Sequence, residues 1–537
     1  MKKMKIFVDN KGYLFLTIVT SLIQAVASVL MALASRDLLD SSSNELFINT
    51  IKLISIVLIM ILAYCLNHLF QQKLQLKLEC KLKKEVYNEI FKKDYYTISK
   101  IHSGNLMNYL TNDVNVVAQN AAAIIPNLLL LVTRLVLSFI FLAYLLTELA
   151  LVLLGIGLIA FLFSYIFRKK LKKLHKDVQE KDGIMRSYMQ ESIESMLVIK
   201  SFNSEIRSLE KMNNYQEDYK NSKNRRINFS VSINTLISLV FQCTYIFTLV
   251  WCVLKVESGM SYGTLLAIVQ LVGQIQGPMT NLSGFLPKYY QMKASEERLN
   301  DVINLKNEEH LNNKEIFDFD KIEIEDLSFS YDDFKVIESS SLTINKGDFI
   351  LIKGLSGIGK STLLKLLLGI YQPIDGSMTL YQNEEKVNIS KQTRNLFSYV
   401  PQGNFIFSVT IRENLTFFSP NINEEDIINA LKIACAYEFI EKLDNGLDTY
   451  IGEKGLGLSE GQIQRLAFAR AILSNRKIIL LDEATSALDQ KTEIELLENL
   501  KMLEDVTCII VTHKDASKTI CNKEFVFDKT KITENNL

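Results

Sequence analysis

Six long stretches with at most one charged side chain each fall within the first 290 residues of this 537-residue chain, and they restrict its fold more than any other feature. Five are uncharged: Gly12–Ser35, Leu53–Gln72, Leu149–Phe167, Ile227–Leu254 and Ser258–Pro287. A sixth, about Ala121 to Leu146, is broken only by Arg134. Each is near or above the roughly 20 residues that an α-helix needs to cross a bilayer. Hydrophobic content of 48% beside 22% charged residues is high for a soluble chain, and the apolar residues are concentrated in these stretches.

The formal net charge of zero hides an asymmetry. Lys2, Lys3 and Lys5 precede the first stretch, and the segment from Lys73 to Lys100 also carries Lys77, Lys81, Lys83, Lys84, Lys92 and Lys93. Arg168 to Arg226 is richer still, whereas the turns near Asp37–Glu45, Thr147–Glu148 and Glu257 hold few cations. Cations concentrate on the cytoplasmic side of membrane spans, so the N-terminus and both long loops are expected there. Six spans then return the chain to the cytoplasm. The first stretch is too long for a signal-peptide core, so it is read as a span that is kept. Leu74, Leu76, Leu78, Leu82, Val86 and Ile90, interleaved with lysines and glutamates, predict a helix continuing out of the second span, and Asp177 to Tyr219 reads similarly. Seven scattered cysteines show no CxxC pair; they are expected to be reduced thiols with no metal site.

The C-terminal part has a different character. Gly354, Gly359, Lys360 and Ser361 have the G-x-x-x-x-G-K-[ST] spacing, between an apolar run at Phe349–Ile352 and a helical run at Leu363–Leu368. That strand–loop–helix context is what a phosphate-cradling loop requires. Its glycines let the backbone N–H groups and the helix N-terminus face phosphate oxygens, while Lys360 adds an ammonium. Gly354, Ser356, Gly357, Gly359, Lys360, Ser361 and Thr362 are the expected loop contacts to ATP, and Ser361 is the expected Mg2+ ligand. Ile478-Ile479-Leu480-Leu481 is an apolar strand ending in Asp482 and Glu483, which leaves two acids at the mouth of a buried parallel sheet. Asp482 fits a Mg2+-water contact and Glu483 a general base for the attacking water.

With Leu458-Ser459-Glu460-Gly461-Gln462 downstream, this half resembles the nucleotide-binding domain of ABC transporters. The resemblance implies that Ser459, Gly461 and Gln462 contact ATP held by an opposite subunit, and that Tyr331 stacks on adenine. It implies further that Gln402, in Tyr399-Val400-Pro401-Gln402, touches Mg2+ and relays nucleotide state to the membrane part. Asp489 in Ser486-Ala487-Leu488-Asp489 falls in the loop that crosses the dimer interface, and His513 matches the histidine at the γ-phosphate. Gly452-Glu453-Lys454-Gly455 resembles the exporter-type segment ahead of the signature. Glu460 departs from the family's commonest signature, which has Gly there; a carboxylate at a helix start suits the dipole.

In the first half, His102 to Leu106 and Leu110 to Val114 resemble the family's coupling helix and its return helix. Val198 to Asn203 resembles the matching piece of the second loop, with Gly183–Met185 near its coupling helix. No peptidase-like extension is expected ahead of the first span. Gln270, Gln274, Gln276, Asn281, Asn234, Gln242, Gln24, Ser21 and Ser28 either line a wet cavity or bond helix to helix, and Arg134 meets an acidic substrate group, a neighbouring helix or the interface.

The expected architecture is a membrane α-helical bundle of six transmembrane helices with long cytoplasmic extensions, followed by an α/β P-loop ATPase domain with a helical subdomain over roughly Asn404 to Leu456, which contains a helical pattern at Glu424–Leu443. The boundaries are 1–303, a polar linker over 304–319, and 320–537. One bundle and one ATPase domain make a half-transporter, so a second chain is expected as partner: a copy of itself first, a different chain as the alternative. The expected function is ATP-driven export of a peptide, drug-like or amphipathic compound across the cell membrane; a lipid flippase and a non-transporting sensor ATPase are the rivals. The six spans exclude a soluble ABC ATPase acting on nucleic acid, and the ATPase domain lacks the basic stretch that nucleic-acid binders show.

Overall fold

The computed structural model describes residues 11–257, 259–281, 285–308, 316–383, 385–403, 406–419, 422–452, 455, 457–503 and 505–537. Lys2, Lys3, Lys5, the linker centre at 309–315 and the pair Glu453-Lys454 lie outside them. Two compact units form. One runs to Phe91 and resumes over Ser103–Asn304; the other comprises Lys92–His102 with Leu305–Leu537.

The first unit is helical: α1 (Lys11–Leu39) and α2 (Leu46–Phe91) precede α3 (Tyr95–Ser99), which belongs to the other unit. Then follow α4 (Ser103–Asn108), a π-helical turn (Tyr109–Asp113), α5 (Val114–Leu145), α6 (Thr147–Glu194), α7 (Met196–Ser201), α8 (Glu205–Glu257), α9 (Tyr262–Asn281) and α10 (Phe285–Ile303). Five of the apolar stretches fall on α1, α2, α5, α6 and α8, the described part of the last lies mainly on α9 (Tyr262–Asn281), and this is a multi-pass membrane protein. Four helical segments among the described residues, Lys11–Leu39, Leu46–Phe91, Ser103–Leu145 and Glu205–Glu257, are long and apolar enough to cross a bilayer.

Past its span, α2 continues because Leu74, Leu78, Leu82 and Val86 recur every fourth residue and are buried. Leu76 lies off that stripe and is exposed. The second cytoplasmic segment is broken where a single helical reading would continue it. Ser195 leaves helical geometry and Asn203 has φ 47°, so α7 stands between two turns. Gly183 to Met185 lie inside the continuous α6, and the short helix of this segment is α7.

The π-helical turn ends on Asp113, which is fully buried and accepts hydrogen bonds from Ser295 Oγ (2.8 Å) and Arg298 Nε (3.1 Å) of α10. A buried carboxylate persists only when paired in this way, and the pairing fixes α10 shortly before the chain leaves the unit. The buried amides of the bundle are similarly committed. Gln274 Nε2 donates to Ser28 O (2.6 Å) while its Oε1 accepts from Ser138 Oγ (3.2 Å), and Gln276 Nε2 donates to Phe241 O (2.9 Å). Asn67 Nδ2 reaches Thr17 O, Thr20 Oγ1 and Ser21 Oγ. For Gln274, Gln276, Ser21 and Ser28 the helix-bonding alternative holds over a cavity lining, while Asn234 and Gln242 are exposed.

The second unit contains β1 (Lys321–Tyr331), β2 (Phe334–Asn345), β3 (Phe349–Lys353), α11 (Lys360–Leu367), β4 (Asp375–Gln382), β5 (Glu385–Asn388) and β6 (Phe397–Val400). After them come α12 (Ile411–Thr416), α13 (Glu424–Ile433), α14 (Tyr437–Glu441), α15 (Glu460–Leu473), β7 (Ile478–Asp482), α16 (Gln490–Lys501), β8 (Thr507–Val511), β9 (Lys523–Asp528) and β10 (Lys531–Asn536). An antiparallel sheet runs β2-β1-β4-β5, and a six-stranded sheet runs β10-β9-β3-β8-β7-β6. In the latter, β9, β3, β8, β7 and β6 are mutually parallel, and β3, β7 and β8 read as near-continuous buried apolar runs. The helical pattern over Glu424–Leu443 is two helices, because Cys435 at φ 53° turns the chain between α13 and α14.

The segment that packs with the ATPase fold is α3, a few residues before the stretch resembling the coupling helix. Asp94 caps it through Thr97 N (3.0 Å). Tyr96 Oη donates to Asp332 (3.1 Å), Lys100 pairs with Asp332 (2.6 Å), and Lys93 Nζ donates to Asn307 Oδ1 (2.6 Å).

Candidate functional site

Four neighbouring parallel strands, in the order β3-β8-β7-β6, end on the same edge of the sheet. The loop after β3 carries Gly354 to Lys360, the one after β8 carries His513, β7 ends in Asp482 with Glu483 next, and the turn after β6 carries Gln402. Sheet order therefore gathers residues far apart in sequence, as in the contact of Lys360 Nζ with His513 Nε2, 153 positions away, at 3.4 Å. The carboxyl edge of such a sheet is where ligands bind.

Gly354, Gly357 and Gly359 have φ 156°, 77° and 120°, which folds the loop over the N-terminus of α11. At Gly359 a Cβ would sit 2.4 Å from Val336 Cγ1, so no other residue fits there. Ser356 and Gly357 are exposed at the loop's crest, and Lys360 is buried. Lys360 Nζ donates to Gly354 O (2.9 Å) and Leu355 O (3.0 Å). Burial pulls its pKa below the ordinary lysine value, and the Glu483 and Asp482 charges oppose that.

Asp482 is buried and held at both oxygens. Ser361 Oγ donates to Oδ1 (2.9 Å) and Tyr399 Oη to Oδ2 (3.0 Å). Burial raises the Asp482 pKa, and those two hydrogen bonds work against the rise. Burial, followed by the Asp482 charge, pushes the Tyr399 phenol up, so it remains a donor. Glu483 leaves the strand with φ 50°, a left-handed conformation costing on the order of 1–3 kcal/mol for a residue other than glycine. Its own N–H donates to Val511 O (2.9 Å), which ties the turn to β8. Its carboxylate accepts from Gln402 Nε2 (2.6 Å) and lies 3.6 Å from His513 Nε2.

Tyr331, at the end of β1, is hydrogen-bonded through Oη to Thr362 Oγ1 (3.0 Å). Its ring packs among Phe329, Tyr371 and Tyr96, with centroids 5.1, 5.8 and 6.0 Å away. The structure thus brings Tyr331, Gly354, Lys360, Ser361, Thr362, Gln402, Asp482, Glu483 and His513 together.

Ser459, Gly461, Gln462 and Asp489 form a second group. Ser459 caps α15 reciprocally: its Oγ accepts from Gln462 N (3.3 Å), and Gln462 Oε1 accepts from Ser459 N (2.8 Å). A Cβ on Gly461 would meet Ala487 O at 2.9 Å, so the start of α15 lies against the Ser486–Asp489 loop. Asp489 caps α16 through Thr492 N (3.1 Å). Among the described residues, no hydrogen bond joins this group to the Lys360 group.

The contacts of three residues escaped the reading of motifs. Tyr399 holds Asp482; Gln464 bonds Ser486 Oγ (3.0 Å) and Ala487 N (3.0 Å); Lys514 Nζ donates to Thr485 O and Leu488 O, both at 2.7 Å. The available signal was a polar side chain on an otherwise apolar strand or helix face, as with Gln464 between Ile463 and Leu466.

Both parts of the chain are similar to known proteins. Residues 12–279 match the ABC transporter transmembrane region and residues 337–486 match the ABC transporter family of ATP-binding domains. The chain is 31% identical to the lactococcin-A transport/processing ATP-binding protein of Lactococcus lactis subsp. lactis, over 69% of this chain and 52% of that protein. It is 35% identical to the α-hemolysin translocation ATP-binding protein of Escherichia coli O157:H7, over 52% and 40%. It is 29% identical to an uncharacterized ABC transporter ATP-binding protein of Bacillus subtilis (strain 168), over 82% and 76%. The chain spans about half the length of the first of these relatives. In fold it is similar to a bacterial Atm1-family ABC exporter with ATP bound, with a TM-score of 0.84 and 20% identity over 97% of this chain and 95% of that one. A transmembrane region and an ATP-binding domain joined in one polypeptide place this chain in the ABC transporter family.

Proposed function

We propose that the chain is one half of an ATP-driven exporter in the cell membrane, with its N-terminus and ATPase unit in the cytoplasm and a peptide or similar amphipathic compound as substrate. One observation carries the reading: within a single chain the phosphate-facing group around Lys360 and the exposed Ser459 with Gly461 are separate groups. A second chain, in the first instance a copy, would lay its Ser459, Gly461, Gln462 and Asp489 over the ATP held at Lys360. ATP then favours the closed pair through contacts that the open pair lacks, and only such differential binding shifts a conformational equilibrium. Tyr331 offers adenine an aromatic edge. Glu483 takes a proton from the attacking water, held in place by Gln402 and flanked by His513. Loss of the γ-phosphate removes the bridge and lets the pair open. The names of the relatives, a lactococcin transporter and a hemolysin translocator, support peptides as the substrate class.

The hydroxyl of Ser361, the carboxylate of Asp482 and the amide oxygen of Gln402 are hard oxygen donors that suit Mg2+. When bound, the ion neutralises charge on the phosphates. Tyr399 orients Asp482 for that task. A hydrogen bond to a charged group is worth about 1.5–3 kcal/mol, so Tyr399→Phe is expected to weaken Mn2+ binding about tenfold or more in the presence of a nonhydrolysable ATP analogue. Electron paramagnetic resonance of Mn2+ reads this directly, and unchanged affinity would remove Tyr399 from the account.

The export reading is tested in proteoliposomes supplied with Mg-ATP. Uptake of an amphipathic peptide with stimulated ATP hydrolysis is the expected result. Stimulation by lipid alone, with peptides inert, points to a flippase, and hydrolysis with no movement of either to a sensor.

A further inference from the structure

Arg134 is the one charged residue inside the six apolar stretches, which contain no Asp or Glu. It lies on the packed stripe of α5, one turn from the buried Leu131 and one turn from the buried Ser138, with Leu142 beyond. The opposite face, with Leu128, Val132, Val136 and Ile140, is exposed. Arg134 therefore turns toward the bundle. Eleven residues separate it from Leu145 at the helix end, about 17 Å along the axis, in a hydrocarbon core about 30 Å thick. That depth is too great for the stem to carry the guanidinium to either interface.

Among the described residues, Arg134 Nε is buried without a hydrogen-bond partner, and the six apolar stretches supply no carboxylate. Its polar neighbour one turn away, Ser138, is already used by Gln274, which in turn is bonded to Ser28 O. A second copy of this chain brings no acid either, since its apolar stretches hold none. Intramembrane arginine persists where it meets a counter-charge or lines a wet path.

We infer that Arg134 is an anion-binding subsite of the transport path, taking the carboxylate of an amphipathic peptide. This rests on the export reading above. A guanidinium presents paired N–H donors that match a carboxylate bidentately, so the site discriminates by charge and by geometry.

The test uses two fluorescent peptides of identical amphipathic sequence, one ending in a free carboxylate and one in an amide, and full-length protein in phosphatidylcholine nanodiscs. Fluorescence anisotropy is expected to show the acid binding about tenfold more tightly than the amide. Arg134→Gln should bring the ratio near one by weakening the acid far more than the amide, and Arg134→Lys should keep part of it. A ratio near one in the native protein overturns the subsite, whether or not Arg134→Gln folds, and so does a ratio that persists in Arg134→Gln. If the native ratio is near one but phosphatidylglycerol stimulates ATPase in an Arg134-dependent way, the arginine serves a lipid phosphate and the peptide subsite is wrong. Binding of neither peptide sinks the peptide reading along with the subsite, whereas equal binding sinks the subsite alone.

Discussion

Replacing Glu483 with Gln is expected to lower ATP turnover by about a hundred- to ten-thousand-fold, the range a positioned general base contributes, while ATP binding is retained. The reason is local. Glutamine has the shape of glutamate, so the turn fixed by the Glu483 N–H to Val511 O bond and by φ 50° should survive the change. What is lost is the carboxylate that would accept a proton. With the base gone and Lys360, Ser361 and Asp482 intact, ATP should hold two chains closed, and size-exclusion chromatography with ATP and Mg2+ should show a stable dimer. A variant that hydrolyses ATP at the native rate would assign the base elsewhere.

The second large effect concerns the division between Lys360 and Ser459. Chains carrying Lys360→Ala and chains carrying Ser459→Arg should each be inactive alone, because every composite site in either homodimer lacks one half. Co-expressed in equal amounts, they should recover about one quarter of the native rate: half of randomly formed dimers are mixed, and each mixed dimer holds one intact site of two acting independently. ATPase of the purified mixture measures this. No recovery would mean that both motifs serve one site in one chain, and a native chain inactive by itself would call for a different partner chain.

Much of this arrangement was legible because it is local. The run Phe349–Ile352, the glycines after it and the helix beginning at Lys360 are specified by neighbours in sequence, and so are Ile478–Leu481 with their terminal acids. The apolar stretches needed only length. What could not be read depends on distant partners. Tyr95 and Tyr96 look like any polar–aromatic stretch between two helices until Tyr331, Tyr371 and Asp332 are placed beside them. Tyr399 shows no role until β6 pairs with β7 and lays its hydroxyl on Asp482. The amides Gln274 and Gln276 admitted two readings because a buried amide is equally at home in a cavity wall and in a helix contact; only their acceptors decided it. The breaks at Asn203 and Cys435 follow from single left-handed residues; Asn203 is of a type that tolerates that conformation, whereas Cys435 carried no composition signal.

The inclusion of Lys92–His102 in the ATPase unit has a topological consequence. The polypeptide crosses from one unit to the other three times, after Phe91, after His102 and after Asn304, so the two bodies are interleaved in sequence. An ATPase fragment cut at residue 305 would keep every phosphate-facing residue and yet be incomplete. It would lack Tyr95 and Tyr96 from the aromatic cluster around Tyr331 and Tyr371, leave Asp332 without Lys100, and strip Asn307 of Lys93. The ring assigned to adenine would then rest on a half-built wall. In this molecule the catalytic body borrows part of its fabric from a strand of chain that the membrane body sends out and takes back.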